Sequence, residues 1–184
     1  MENKKYKMAF TEAVARLHKR ITFKGRATRA EFWYAWIFAK VVLRIISRIL
    51  LGAAENPYTS AEPNIGVILF SIVLFIYAIF LFFAGWCLEV RRFHDVGLSG
   101  WWTVIPPALF AVAVIAGING ATSLAVTCGA LWLVSCLARI VVGCLDSKKG
   151  RNKYGDSEKY PEEVTADRDT GTPPDTDTTF SLKS

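Results

Sequence analysis

Charge is scarce in this sequence: only 21% of its 184 residues are Asp, Glu, Lys or Arg. Histidine occurs twice and cysteine four times, which excludes a His-rich metal protein and leaves no regular framework for a disulfide scaffold. No G-x-S-x-G nucleophile elbow is present. Hydrocarbon fills the chain instead, with 52% hydrophobic residues and 13% aromatics, and this excludes a disordered or fibrous protein.

The formal net charge is +6, and its distribution decides the class. Residues 1–30 carry nine Lys and Arg against Glu2 and Glu12, residues 31–146 are balanced at six of each sign, and residues 147–184 hold seven basic and eight acidic side chains. All the excess lies outside the apolar middle. A nucleic-acid-binding domain spreads its basic residues over a folded surface, so no nucleic-acid partner is expected.

Two uncharged runs, 65–88 and 101–138, are 24 and 38 residues long. A helix needs about 20 residues to cross a bilayer core, so the longer run must fold back. Gly117-Ile118-Asn119-Gly120 supplies the turn chemistry for it. Residues 32–54 form a further candidate, weakened by Lys40, Arg44 and Arg48. The expected fold is therefore all-α and polytopic, with four transmembrane helices at about 32–54, 65–88, 101–118 and 121–145 within a membrane domain of residues 31–146. Four spans place residues 4–29, Arg91-Arg92 and 148–153 on one side, and the loops 55–64 and 117–120, which hold no Lys or Arg, on the other. Short basic segments stay cytoplasmic, which makes both termini cytoplasmic (N-in/C-in). Three spans would separate Arg91-Arg92 from the C-terminal lysines and erase that asymmetry.

Residues 1–30 form a basic arm without the apolar core and cleavage site of a signal peptide. Within it Phe10, Val14, Leu17 and Ile21 fall at helical spacing, predicting a short amphipathic helix on the inner leaflet. Residues 162–184, rich in Thr, Asp and Pro, are expected to be a disordered tail, and 147–161 a short cytoplasmic segment before it.

Three segments stand out beyond hydropathy: FKGRATRAEFW at 23–33, RRFHDVGLSGWW at 91–102 and GRNKYGD at 150–156. In this order and around four apolar spans they resemble the bacterial inner-membrane family known as domain of unknown function 805, over about residues 6–161. Gly25-Arg26, Arg29, Glu31, Trp33, Arg92, His94-Asp95, Gly97, Ser99 to Trp102, Asn152 and Tyr154-Gly155 carry the resemblance. It implies a small multi-pass protein of the bacterial inner membrane, with no established activity to carry over.

On their own chemistry, these residues admit two readings. In the first they fold the cytoplasmic helix ends together: Glu31 pairs with Arg91 or Arg92, Asp95 and Gly97 make a tight turn, and Ser99 caps the next helix. In the second, Arg26, Arg29, Arg91, Arg92, His94 and Asp95 converge on an anionic head group or small ligand. An imidazole fixed by a neighbouring carboxylate also suits acid/base chemistry, but no nucleophile accompanies His94 and Asp95, so no catalytic residue is assigned. Cys87, Cys128, Cys136 and Cys144 lie in predicted spans at eight-residue or longer intervals and read as packing residues, with no metal and no cofactor expected.

Lys40, Arg44 and Arg48 share one helical stripe, and Arg44 falls about 18 Å past Phe32, near mid-bilayer. Arg139 adds a cation nearer the inner face. An unpaired charge at that depth costs at least about 2.5 kcal/mol, so the stripe should face water, carbonyls, a bound anion or another subunit. Pro106-Pro107 is expected to bend the third span.

The functional expectation is a non-enzymatic membrane role: binding of anionic lipid, or of a membrane-protein partner, through the basic cytoplasmic face, alone or as a homo-oligomer. The alternative is passage or sensing of a small anion along Lys40, Arg44, Arg48 and Arg139. A third, enzymatic reading centres on His94 and Asp95.

Overall fold

The computed structural model describes residues 8–55, 65–161 and 165, and the expected disordered tail at 162–184 lies almost wholly outside the described residues. Among the described residues five α-helices follow in order: α1 (Phe10–Lys19), α2 (Arg29–Glu55), α3 (Ile65–Asp95), α4 (Ile105–Ile118) and α5 (Thr122–Cys144), with a 3-10 turn at Gly100–Val104 leading into α4. No strand occurs among the described residues, where Asn152 and Gly155 form an isolated antiparallel bridge.

Local chemistry sets most of the helix ends. The Thr28 hydroxyl accepts the Glu31 N–H at 3.3 Å and starts α2 as a T-x-x-E cap. At the end of α3 the Gly97 N–H donates to the His94 carbonyl and the Leu98 N–H to that of Phe93. This is a Schellman stop, and it requires a left-handed residue, which Gly97 supplies at φ +87°. The same stop closes α4, with Gly120 at φ +73° and the Ala121 N–H bonded to Ala116. The sequence turn at 117–120 is therefore where the α4–α5 hairpin reverses. Pro106 and Pro107 are the second and third residues of α4, in the first turn, where backbone N–H groups have no intrahelical partner and proline is well tolerated.

Packing is strongest where α1, α2 and α3 meet. Leu17, Ala27, Phe32, Ala35, Ala39, Leu81, Ala84 and Leu88 form one buried cluster, and the alanines let α2 and α3 approach closely. A second cluster joins Phe93 and Val96 to Val142 and places the end of α3 against the end of α5. At Gly143, α5 touches α2: a Cβ there would lie 2.8 Å from the Phe32 ring.

The apolar stripe of α1 faces the protein. Ala13 and Leu17 are buried, and His18 stacks on Tyr77 and Phe80 while Phe10 meets Tyr34 and Phe38. The side of α1 expected to rest on the leaflet thus packs largely on α2 and α3, because aromatic rings there complete its burial. Phe10 and Ile21 remain about half exposed.

Elsewhere the hydrophobic pattern is inverted. In α3, Ile65, Val73, Phe75 and Ile76 are 58–72% exposed. Water does not tolerate such continuous apolar surface on this scale, whereas a bilayer requires it. Among the described residues, three helices are long and apolar enough to cross a membrane: Ile65–Asp95, Gly100–Ile118 and Thr122–Cys144. At 27 residues α2 has sufficient length, but Lys40, Arg44 and Arg48 interrupt its apolar character.

Candidate functional site: a buried ion network at the basic end of the bundle

The start of α2, the end of α3, the start of α4 and the end of α5 lie together at one end of the bundle. Trp33 Nε1 donates to the Gly143 carbonyl at 3.1 Å and the Ala27 N–H to the Arg91 carbonyl at 3.1 Å. Residues 145–160 then run back across these ends as a strap. All three sequence segments that stood out meet here.

Asp95 is the hub. Its carboxylate, 1% exposed, accepts from Arg26 Nε at 2.9 Å, Arg92 Nη1 at 2.5 Å and Ser147 Oγ at 2.6 Å. The remaining guanidinium donors of Arg26 reach the carbonyls of Gly150, Gly155, Lys148 and Asp95, and Nη1 and Nη2 of Arg92 reach Ala27 and Leu145. Glu31 accepts from Arg91 Nη1 at 2.8 Å, and Arg16 of α1 approaches its other oxygen at 3.6 Å. The expected pair is thus Glu31 with Arg91, while Arg92 belongs to Asp95. Arg29 stands outside the network, 45% exposed and 3.3 Å from the equally exposed Asp146.

His94 is held separately from Asp95. Its ring stacks on Tyr154 at 3.7 Å between centroids and 6° between planes, and its Nδ1 donates to the Gly25 carbonyl at 3.3 Å. Its own carbonyl accepts from Asn152 Nδ2 at 3.0 Å. Sequence neighbours on a helix point about 100° apart, so His94 and Asp95 do not form the carboxylate–imidazole pair that an acid/base reading requires. Among the described residues no group of three His, Cys, Asp or Glu side chains is placed to hold a metal ion.

Arg26, Arg92 and Asp95 thus share one network, while Arg91 pairs with Glu31 and His94 is held by Gly25 and Tyr154 beside it. Arg26 and Asp95 spend their polar groups on one another, on Arg92 and on the strap, whereas Nε and Nη2 of Arg91 and Nε of Arg92 are buried without a hydrogen-bond partner among the described residues. Ser99 caps the 3-10 turn by accepting from the Trp101 N–H, as expected, while Asp95 is bound into the network.

Outside the spans, two carboxyls tie the strap down. Burial pushes Glu158 up, but hydrogen bonds from Arg20 and Arg16 outweigh it and hold the carboxyl below its ordinary range. Asp146 behaves alike: burial raises it, and Lys159, the Ser147 N–H and Tyr160 bring it lower.

The cations of the α2 stripe and of α5 divide. Lys40 and Arg139 line one cavity, whereas Arg44 and Arg48 are exposed beyond it. Arg139 has a carboxylate partner, Glu89. Sequence reasoning ended the second span at residue 88 and so missed this acid; α3 continues to Asp95 and carries Glu89 inward beside α5.

Long apolar helices with lipid-type exposure, tied at one end by a buried ionic knot, define a helical multi-pass membrane protein. A family model described as "Protein of unknown function (DUF805)" matches residues 20–156, and the chain belongs to that family. Similar proteins include inner membrane protein YhaH of Escherichia coli K12, 27% identical over 76% of this chain and 88% of the relative. Inner membrane protein YhaI of the same strain is 30% identical over the same shares of each chain. No solved structure matches.

Proposed function

We propose that the chain is a four-span inner-membrane protein with both termini cytoplasmic, whose role is non-enzymatic: its basic end holds anionic lipid head groups. One observation carries this reading. Cations at that end are of two kinds, with Arg26, Arg91 and Arg92 buried in the ion network and Lys19, Arg20, Lys24, Lys149, Arg151 and Lys153 exposed around it. The first kind sets the shape of the end, and the second presents charge outward. Near an anionic leaflet each exposed cation contributes about 1 kcal/mol of attraction. A cavity of about 450 Å³ bordered by Arg20, Lys24, Arg26 and Arg91 lies within this face.

The four-span topology is supported by α2 running beside α3 over the Ala35, Ala39 and Ala84 contacts, with its start next to the end of α3. Lys40 can snorkel toward the basic end. Reporter fusions after residue 160 and within the loop 55–64 test the topology: cytoplasmic signal from the first and periplasmic signal from the second are expected, and the same side for both would refute it. Lipid binding is tested by the retention of phosphatidylglycerol over phosphatidylcholine on the purified chain, measured by native mass spectrometry. Lys24→Gln/Arg151→Gln/Lys153→Gln should lose the preference, and an undiminished preference would overturn the reading.

A further inference from the structure

Two adjoining cavities of about 280 and 260 Å³ open in the angle between α2, α3, α5 and the start of α4, and both are bordered by Trp36, Lys40, Glu89, Trp132 and Arg139. Their walls are of two kinds. One pole is ionic: Arg139 is paired with Glu89, and the Lys40 ammonium lies over the Trp36 ring, 5.5 Å from its centroid. Among the described residues no carboxylate pairs with Lys40. Two cations and one carboxylate leave this pole one positive charge. The other walls are hydrocarbon and aromatic, including Leu43, Leu81, Pro106 and Phe110. Phe82 and Phe110, both more than half exposed, border the cavity as well, so it is reached from the flank of the bundle.

A small inorganic anion would satisfy the ionic pole and leave the apolar walls uncovered. A neutral hydrocarbon would cover the walls and leave Lys40 without a counter-charge. Arg139 can share its fork between Glu89 and a second oxyanion, since a guanidinium carries five N–H donors. We propose that this cavity binds one monoanionic amphiphile, with an oxyacid head between Lys40 and Arg139 and a hydrocarbon chain along α3 and α4. The head group is a lipid phosphodiester or a fatty carboxylate, which share a single negative charge and an attached chain. Lys40 lies about 16 Å along α2 from Arg29, and Glu89 about 9 Å before Asp95 on α3. The site is therefore deeper than the exposed basic face, and it rests on the proposed placement of α2 in the bilayer.

Tryptophan supplies the readout, since Trp36, Trp86 and Trp132 border the cavity. The full chain is placed in phosphatidylcholine nanodiscs doped with acyl-brominated phosphatidylglycerol, brominated phosphatidylcholine or a brominated fatty acid, and quenching is followed against dopant fraction. An anionic dopant should quench at a lower fraction than brominated phosphatidylcholine, and whichever anionic dopant acts first identifies the head group. Lys40→Met should weaken the preferred dopant about tenfold, the effect of one charge-assisted hydrogen bond. Lys40→Arg should retain binding, and Glu89→Gln, which raises the charge of the pole, should tighten it, whereas a purely structural Arg139–Glu89 pair would not give tightening. Equal quenching by all dopants in the wild type would overturn the proposal. So would displacement of the brominated amphiphile by soluble glycerol phosphate, or a preference that survives Lys40→Met. Arg20→Gln/Lys24→Gln separates the two readings: loss of face binding with the quenching preference intact is expected, and loss of the preference in that variant would overturn the cavity site.

Discussion

Replacing Asp95 with leucine tests the ionic knot at its hub. Leucine keeps the branched four-atom outline of aspartate with bulkier methyl ends, removes the acceptor of Arg26, Arg92 and Ser147 at once, and leaves two guanidinium groups without their carboxylate. Breaking a buried ion pair from one side costs about 3–5 kcal/mol. Carbonyls of Ala27, Leu145, Gly150 and Lys148 still receive these guanidinium groups, so the lower end, about 3 kcal/mol, is expected. The loss should fall on the strap, because Ser147 Oγ bonds the Asp95 carboxylate and the Lys148 N–H bonds the Asp95 carbonyl. A loss of that size raises the open population of the strap about 10²-fold. Trypsin cutting after Lys148, Lys149 and Arg151 follows that population when reclosing is faster than cleavage. The variant should therefore be nicked there about 10²-fold faster than the wild type, with its helical circular dichroism retained. Cleavage within about threefold of wild type would refute the assignment of Asp95 as the hub, because the change would then lower the cost of opening by less than about 1 kcal/mol. Arg26→Met/Asp95→Leu removes one charge of each sign and should be less destabilised than the single changes sum to, a coupling that the double-mutant cycle reads directly.

Gly143→Ala should destabilise the α2–α5 contact by about 1–3 kcal/mol, since the new Cβ meets the Phe32 ring at 2.8 Å and Trp33 at 3.2 Å. Gly129→Ala in the same helix meets nothing within 4 Å and should be neutral or stabilising in the same thermal melt. Gly97→Ala forces an L side chain to φ +87° and should cost about 1–2 kcal/mol, detectable as a lowered unfolding midpoint. Glu158 gives a pH dependence of defined sign: its pKa lies below the ordinary 4.5, so its bonds to Arg16 and Arg20 stabilise the strap fully above that value. Their contribution fades as pH falls through the lowered folded-state pKa. Strap proteolysis by an acid-active protease should therefore accelerate in that acidic range, and Glu158→Gln should flatten the pH profile.

Residue order alone determines that the protein is helical and membrane-embedded, because the length and apolarity of 65–88 and 101–138 do not depend on what packs beside them. It also marks the turn at 117–120, the Ser99 cap and the pairing of Glu31 with an arginine of the 91–92 pair, since each follows from local chemistry. Thr28 with Glu31 is a capping signal readable in the same way. Tertiary structure decided the rest. Whether an arginine is a ligand group or a fold determinant depends on which carbonyls and carboxylates surround it, and the partners of Arg26 lie 69 to 129 positions away in sequence. The same holds for His94, adjacent to Asp95 in the chain but turned toward Gly25 and Tyr154. Arg139 acquires Glu89 only because α3 runs past its apolar segment and lies against α5. Hydropathy reads what one helix presents to its solvent; the partners of a buried charge come from other helices, and their distance along the chain hides them until the fold brings them together.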